Sequence, residues 1–301
     1  MAFWIVTDAC CDLPAHYIKK HENLIVVPMS YQIDGEVKQI DPLDPDTEQT
    51  AHDFYQKLEN GSNATTFQVN EQNWIEHLMP ICSNGDDVLV LAFSSGLSGT
   101  CESAMSAVAQ LHEKFPERKI LAIDTKSASL GEGLFVHLTI AQRESGKNID
   151  ECYAFAQNLV PRLIHWFTVD DLHFLRRGGR VSATSAYLGS ILKIKPVLNV
   201  DPKGKLIPRE KVQGRKRSLR ALFEKVQDYA AEPEKQTMFI SHGDCLEDAL
   251  WLADKLKKDL HVPEVMVSPI GPIIGSHSGP RTVAMFFQGK DAAGRMNSPE
   301  A

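Results

Sequence analysis

A segment rich in hydroxyl groups and glycine, residues 94–100, offers the clearest place for binding chemistry. It follows the apolar run 88–93, which has the composition of a buried strand. Beyond it, Ala104, Val108 and Leu111 recur at helical spacing. Free backbone N–H groups and the helix dipole favour an anion at such a strand-to-helix turn. The segment therefore predicts a carboxylate or phosphate site; the alternative is a turn whose serines and threonine cap the helix.

Three arginines form a second candidate site for an anion or a partner. Arg176, Arg177 and Arg180 surround Gly178 and Gly179. Guanidinium groups can hold a carboxylate or phosphate through two parallel hydrogen bonds. The alternative is a helix that ends at Gly178, with basic residues favourable against its dipole. That alternative explains the first two arginines and leaves Arg180 without a role.

A histidine among small residues is the third candidate. His277 lies between Gly275 and Pro280, after the apolar run 270–274, and a tight loop is predicted there. An approachable imidazole ring can hydrogen-bond a carboxylate or act as a base. The alternative is a histidine with a structural role.

Three other polar segments carry weaker signals. Residues 64–70 have no helix or strand periodicity and are predicted to be an exposed loop. Asp8 and Asp12 follow the first predicted strand, where a carboxylate could position a ligand, but a helix N-cap or turn at Asp12 is favoured. The basic segment 211–220 could bind an acidic partner, although a solvated helix start is the preferred interpretation.

Composition excludes several functional classes. The chain has 301 residues, 43% of them hydrophobic and 24% charged, with a net charge of −7, which does not favour nucleic-acid or anionic-membrane binding. No apolar run approaches the roughly 20 residues of a transmembrane helix. The N-terminus lacks the features of an export signal. Six cysteines without CxxC spacing argue against a metal knuckle, and we expect a reduced, cytoplasmic protein.

Strand and helix patterns alternate along the chain, which predicts parallel sheets covered by helices. The first half is expected to be purely βα and the second half to include a hairpin. We predict domains at 1–160 and 161–290 and a disordered tail at 291–301. The predicted strands are 3–7, 24–29, 88–93, 120–124, 195–200, 206–212, 238–241 and 265–268, and the predicted helices are 50–60, 101–115, 130–145, 149–160, 217–229 and 246–260.

Together these segments resemble the DegV family of bacterial fatty-acid-binding proteins from about residue 5 to residue 285. Each motif is weak by itself, but their number, order and spacing are specific. The matching motifs are Val6-Thr7-Asp8, Asp12-Leu13-Pro14, Thr66 with Gln68, Ser94 to Thr100, Asp124 to Ser129, Leu175 to Ser182, Gly189, Lys193 to Pro196, Lys211, His242-Gly243-Asp244 and Gly275 to Pro280.

The resemblance implies a two-domain fold and a carrier function. The expected fold is α/β: an N-terminal three-layer α/β/α domain with a parallel sheet and a C-terminal two-layer α/β domain with a mixed sheet. One long-chain fatty acid (C14–C18) is expected in the cleft between them. No catalytic residue, metal or other cofactor is implied, because a separate fatty-acid kinase performs the chemistry in characterised relatives.

The resemblance also assigns roles to individual residues. It implies that the hydroxyls of Thr66 and Ser98 hold the carboxylate. The residues expected near the head group are His277, Ser94, Ser95, Gly279 and Arg281.

Four residues in three segments depart from the family pattern. Phe67 stands where a serine is usual, and its bulk is expected to reshape the head-group loop. Arg281 replaces a glycine, which removes backbone freedom and is expected to add a cation near the carboxylate. Cys10 and Cys11 replace serines of the first loop.

An acyl hydrolase is the alternative from another functional class, with Ser98 as nucleophile and His277 as base. The chain has no Gly-x-Ser-x-Gly motif around Ser98, and no acidic partner for the histidine can be assigned. The carrier hypothesis is therefore preferred.

Overall fold

The computed structural model describes residues 3–181 and 194–296 of the chain. Three of the motif residues named above, Ser182, Gly189 and Lys193, lie outside these ranges, as do residues 297–301. The described residues form three β-sheets that are covered and separated by helices. The predicted mixed α/β class is confirmed.

Strands and helices alternate through most of the described chain. The strands are β1 Trp4–Asp8, β2 Leu24–Val27, β3 Ser30–Ile33, β4 Glu36–Gln39, β5 Ala64–Phe67, β6 Val88–Ala92, β7 Ile120–Asp124, β8 Leu163–Thr168, β9 Ile194–Val200, β10 Leu206–Gln213, β11 Thr237–His242, β12 Glu264–Pro269 and β13 Val283–Gln288. The helices are α1 Ala15–Lys20, α2 Thr47–Glu59, α3 Glu71–Ser83, α4 Thr100–Lys114, α5 Leu130–Glu144, α6 Ile149–Leu159, α7 His173–Arg177, α8 Arg215–Tyr229, α9 Leu246–Leu260 and α10 Pro272–Ser278.

A parallel sheet with the order β2-β1-β6-β7 forms the centre of the N-terminal half. Helices α3 and α4 pack on one face, and α5 and α6 pack on the other. Because both faces are covered, the strands are continuous apolar runs, and every residue of β6 is buried. This arrangement places the loop that follows β6 at the carboxyl edge of the sheet, where ligands of such folds bind.

A mixed sheet with the order β10-β9-β8-β13-β11-β12 forms the C-terminal half. Neighbouring strands are antiparallel except for β11 and β12, and the predicted hairpin is the β9–β10 pair. Alternate residues face opposite sides of a strand. Ile164 and Trp166 of β8 belong to a core shared with α8 and α9, whereas Phe167 joins the core of the N-terminal half. One face of the mixed sheet therefore packs on α8 and α9, and the opposite face packs on the N-terminal half of the protein.

Helix α5 lies between the two sheets and contacts both. Its first turn is buried and contains Gly131 and Gly133. A side chain at Gly131 would overlap His165 and Phe286 of the mixed sheet, and one at Gly133 would come within 2.7 Å of the Cys11 carbonyl oxygen. The two glycines allow the mixed sheet and the 3-10 segment after β1 to approach the helix closely.

The prediction that the first half is purely βα is wrong. An antiparallel sheet with the order β4-β3-β5 packs beside the parallel one, and the predicted loop at 64–70 contains strand β5. The hairpin between β3 and β4 turns at Asp34-Gly35, both with positive φ, which is a standard hairpin signal in the sequence. Strand β5 could not be recognised because its polar residues, Thr65 and Thr66, pair with a distant strand.

The predicted disorder of the tail is wrong for residues 291–296. Residues Ala293–Arg295 form a 3-10 helix, and Arg295 is completely buried. Its guanidinium donates hydrogen bonds to the carbonyl oxygens of Val160 and Lys126. The tail therefore returns to the junction between α6 and β8. The predicted domain boundary at 160/161 lies at this junction and stays a prediction.

The predictions about transmembrane helices and about the cysteines can be compared with the described residues. None of the helices described is long and apolar enough to cross a membrane. All six cysteines are free thiols. The described part of the chain also contains no cluster of His, Cys, Asp and Glu residues that could hold a metal ion.

Candidate functional site

A cavity of about 550 Å³ lies between the two halves and is lined by both. Its volume lies within the range of small-molecule sites in proteins. Most of the wall is aliphatic or aromatic, including Met29, Phe93, Phe167, Val200, Ile273 and Phe286. Such walls suit a ligand with a long apolar part, because burial of apolar surface is favourable and non-directional.

Thr66 and His277 form a polar pair in the cavity wall. The Thr66 hydroxyl lies 2.8 Å from Nε2 of the His277 ring, and both side chains line the cavity. Thr66 reaches this position from β5, and His277 from the last turn of α10. The predicted tight loop around His277 is therefore wrong: the segment continues as helix until Gly279, whose φ is +77°.

Ser98 is linked to this pair through a short series of contacts. Arg180 donates hydrogen bonds to the carbonyl oxygens of Leu97 and Gly178. Gly178 packs directly on the His277 ring, since a side chain at this position would overlap Nδ1. Ser98, Arg180, His277 and Thr66 all line the cavity. The structure thus brings the predicted hydroxyls, the histidine and one arginine together.

The electrostatic environment of this polar end is positive. Burial is the main reason that the pKa of His277 is lowered to about 4, and the charges of Arg180 and Arg177 lower it further. The ring is therefore neutral at pH 7. Its Nδ1 atom is buried and has no hydrogen-bond partner among the described residues. A positive potential that disfavours a charged histidine favours a carboxylate at the same place.

Ser98 precedes α4 and is held by local hydrogen bonds. Its hydroxyl oxygen accepts from the backbone N–H of Thr100 at 3.2 Å and lies 3.0 Å from the Thr100 hydroxyl. The alternative interpretation of the segment, helix capping by a hydroxyl, is wrong for α4, because its N-cap is Gly99, which has no side chain. Ser98 lies one residue earlier and bonds to the first residue of the helix. Next to it, Gly99 allows Gln68 to pack against the backbone, where a side chain would overlap the amide. These contacts hold the loop against the end of β5.

Ser94 and Ser95 are not among the described residues that line the cavity. The Ser94 hydroxyl donates to the Gly204 carbonyl oxygen at 2.9 Å, and the Ser95 hydroxyl accepts from Lys126 at 2.6 Å. Ser94 thereby ties the N-terminal half to the β9–β10 turn. Both serines hold the loop in place and do not contact the cavity.

Gly279 and Arg281 are also absent from the part of the cavity wall that the structure describes. The Arg281 guanidinium lies 3.5 Å from an Asp170 carboxylate oxygen and 4.0 Å from one of Asp248. It is half-exposed and adds no cation to the polar end. The backbone of Arg281 has a φ of +59°, in the left-handed region where glycine is unstrained. That geometry explains why a glycine fits this position.

The three arginines of the glycine-rich segment have different positions. Helix α7 ends at Gly178, as one interpretation predicted, and Arg176 is exposed there. Arg177 stacks on Phe174 at 5.1 Å and donates to Asn63 and to the Ser276 carbonyl oxygen. Only Arg180, of the three, lines the cavity. Arg180, which had no role in the interpretation of this segment as a helix end, is therefore the arginine at the site.

Sequence reasoning missed the far wall of the cavity. His165, Phe167, Ala284 and Phe286 belong to β8 and β13, neither of which was predicted. Both segments are buried along their whole length or nearly so, which removes the polar alternation of a half-exposed strand. A signal existed in their length of six residues and their aromatic and β-branched content.

The fold and cavity define a mixed α/β protein with an apolar chamber between two packed halves. A model of the family described as "Uncharacterised protein, DegV family" matches residues 2–290. The chain belongs to the DegV family, as the motifs predicted. A DegV domain-containing protein of Clostridium perfringens is 40% identical over 287 residues, covering 95% of this chain and 97% of that protein. One of Streptococcus pyogenes serotype M3 is 34% identical over 292 residues, covering 97% and 100%.

Solved structures of family members have the same fold. A DegV lipid binding protein of Thermotoga maritima superimposes with a TM-score of 0.84 at 27% identity, covering 97% of this chain and 99% of that one. A Thermus thermophilus DegV family protein, whose structure is described by its fatty acid binding, gives a TM-score of 0.84 at 27% identity, covering 96% and 100%.

Proposed function

We propose that this protein binds one long-chain fatty acid, with its tail in the apolar cavity and its carboxylate at Thr66 and Ser98. The observation that carries the proposal is the composition of the cavity wall, which is mostly apolar but brings two hydroxyl groups together with a neutral histidine and the cation of Arg180. The fatty acid binding described for the Thermus thermophilus relative supports the same class of ligand.

Burial of the tail supplies most of the binding free energy. Each methylene removed from water contributes about 0.8 kcal/mol, so a chain of ~15 methylenes contributes roughly 12 kcal/mol before the costs of ordering. The polar end then needs only to orient the head group. A chain in the C14–C18 range is accordingly the proposed ligand.

The tautomer of the neutral His277 ring determines how Thr66 presents its proton. A neutral ring that donates from Nε2 to the Thr66 oxygen leaves the threonine hydroxyl hydrogen free to point to the ligand. Thr66 can then donate to the carboxylate, and Ser98 can donate from the opposite loop. His277 is in this arrangement a positioning residue for the Thr66 hydroxyl.

The same geometry favours a carrier over the alternative hydrolase. A serine nucleophile needs a base within hydrogen-bond reach, and the base needs a group that orients it. The hydrogen bonds of Ser98 go to Thr100, those of His277 go to Thr66, and within the described residues Nδ1 of the ring has no partner. We therefore assign binding and no hydrolysis to this site.

A fatty-acid kinase is the proposed recipient of the bound acid, as the family resemblance implies. Hydroxyl donors leave the carboxylate less enclosed than a bidentate arginine would, which suits transfer of a phosphoryl group to it. The cytoplasm, where such a kinase would act, is the proposed compartment.

Native mass spectrometry of the purified protein tests the proposal. We expect a retained acid with the mass of a C14–C18 chain, and exchange with added palmitate. Ser98→Ala and Thr66→Ala should each weaken palmitate binding through loss of a hydrogen bond to a charged group, by about 1.5–3 kcal/mol. Ser95→Ala is the matched control, since its hydroxyl lies in the same loop but not in the cavity wall.

Two results would contradict the proposal. One is equal palmitate affinity in all three variants and the parent protein, which would remove the two hydroxyls from the site. The other is release of an acid from an added ester in a manner that depends on Ser98, which would establish the hydrolase.

A further inference from the structure

Asp12 is a partly buried carboxyl group that the proposed site does not use. Its Oδ1 atom accepts a hydrogen bond from the Gly271 backbone N–H at 3.0 Å. The Ser129 hydroxyl donates to its Oδ2 atom at 2.5 Å and lies 2.9 Å from the Ser241 hydroxyl. The N-cap predicted at Asp12 is wrong, because α1 has Pro14 as its N-cap, but Asp12 does lie in a turn, at the end of the 3-10 segment Ala9–Cys11. Its side chain connects three distant segments.

The connection to Gly271 bears directly on the polar end of the cavity. Gly271 is the residue from which α10 begins, and His277 lies in the last turn of this seven-residue helix. Ile270, just before it, is held by the Tyr55 hydroxyl, which donates to its carbonyl oxygen at 3.0 Å. A short helix that is fixed at its first residue moves as a unit, so the anchor at Gly271 determines where His277 meets Thr66.

The contact is closely fitted on both sides. A side chain at Gly271 would come within 2.8 Å of the Asp12 Oδ1 atom. Asp12 itself has a φ of +50°, in the left-handed region that Asp tolerates better than most residues. Its two hydrogen bonds offset the cost of this backbone conformation.

We propose that Asp12 is a positioning residue for fatty-acid binding, which acts by fixing the start of α10 and thereby the His277–Thr66 pair. The inference rests on the proposed function and assigns to Asp12 a larger effect on the head group than on the tail. Ile273 and Ile274 of the same helix also line the cavity, but apolar contacts are less directional than a hydrogen bond. Asp12 does not line the cavity and has no contact with the ligand in this assignment.

The role does not depend on a negative charge. A protonated Asp12 keeps both contacts, since its carbonyl oxygen accepts from Gly271 and its hydroxyl donates to Ser129, which turns its own hydrogen to Ser241. An asparagine side chain can do the same with its amide oxygen and amino group. Asp12→Asn should therefore rescue what Asp12→Ala removes.

The test compares two probes in the full-length protein: palmitate, and 1-hexadecanol, which has the same tail without a carboxylate. Asp12→Ala is expected to weaken palmitate binding about tenfold, the effect of one misaligned hydrogen bond to a charged group, and to change hexadecanol binding by less than about threefold. Asp12→Asn should bind both probes like the parent protein. In a Thr66→Ala background, Asp12→Ala should have no further effect on palmitate.

Gly271→Ala provides a second perturbation. Its methyl group would come too close to the Asp12 Oδ1 atom and would disturb the hydrogen bond between Asp12 and the Gly271 N–H, although Asp12 itself is unchanged. It should reproduce the selective loss for palmitate, and it serves in place of Asp12→Ala where that variant does not fold. Equal losses for palmitate and hexadecanol would overturn the proposal in favour of a purely structural role. A parent protein that binds neither probe would instead refute the proposed function.

Discussion

Replacement of Gly178 by alanine is a direct test of how the polar end is assembled. Gly178 ends α7 with ordinary helical dihedral angles, φ −73° and ψ −9°, so alanine introduces no backbone strain there. Its new methyl group would overlap Nδ1 of His277. Because this ring is largely buried, it can relieve the overlap only by moving, and the movement carries Nε2 away from Thr66.

The expected cost follows from the contact that is lost. The hydrogen bond of 2.8 Å between Thr66 and His277 contributes about 1–2 kcal/mol, since its partners are largely removed from water. A loss of this size corresponds to a roughly 5- to 30-fold increase in the palmitate dissociation constant. Global stability falls as well, by about 1–3 kcal/mol for an overpacked site.

Isothermal titration with palmitate and thermal unfolding measure the two effects separately. Gly179→Ala is the matched control in the neighbouring position. Gly179 has a φ of +72° and no atom within 4 Å of an added methyl group, so alanine costs about 1–2 kcal/mol of backbone strain and leaves His277 in place. We expect this control to lower the unfolding temperature without weakening palmitate binding.

A double variant shows whether the effect passes through the ring. In a His277→Ala background the methyl group of Gly178→Ala has nothing to displace, and palmitate affinity should be the same with either residue at 178. The reasoning would be refuted by wild-type affinity in Gly178→Ala, or by a loss that persists in the His277→Ala background.

Two further predictions concern pH and the departure at Phe67. Burial, helped by the charge of Asp8, raises the pKa of Glu132 above its usual 4.5, so the folded state binds the proton more tightly. The contribution of Glu132 to the unfolding free energy should therefore fall as the pH rises above about 4.5. In urea titrations at several pH values, Glu132→Gln should remove this contribution, so that the unfolding free energy falls less, or rises more, with pH than in the parent protein; an equal pH dependence in both proteins contradicts the prediction. Phe67 is 47% exposed at the cavity. Phe67→Ser should speed palmitate release by lowering its activation free energy by about 1 kcal/mol, because less apolar surface covers the ligand. Stopped-flow measurement of the release rate checks this, and an unchanged rate places the ring outside the exit path.

The elements that are long and strongly patterned could be predicted from the sequence. Helix α9 was predicted with the observed bounds, Leu246–Leu260, and the strand Ile120–Asp124 likewise. Their periodicity reflects one face or two faces buried over the whole length. Strands β5, β8 and β13 escaped because the strands they pair with lie far away in the sequence, and local patterns do not contain that pairing.

The site was predictable as a set of residue types but not as an arrangement. The motifs indicated Thr66, Ser98 and His277 through the family resemblance, and the structure places all three in one cavity wall. It also moves Arg281 away from the cavity, because two carboxylates of its own half attract the guanidinium. Spacing along the chain cannot show which way a long side chain turns.

By itself, the sequence determined the family, the α/β class and the residues that carry polar groups to the site. The tertiary structure decided the rest. It selected Arg180 among three similar arginines, it kept His277 neutral, and it gave Asp12 a link to Gly271 across 259 residues. The physical reason is that charge state, orientation and hydrogen-bond partners depend on what surrounds a group in space, and those neighbours come from segments that the local pattern does not connect.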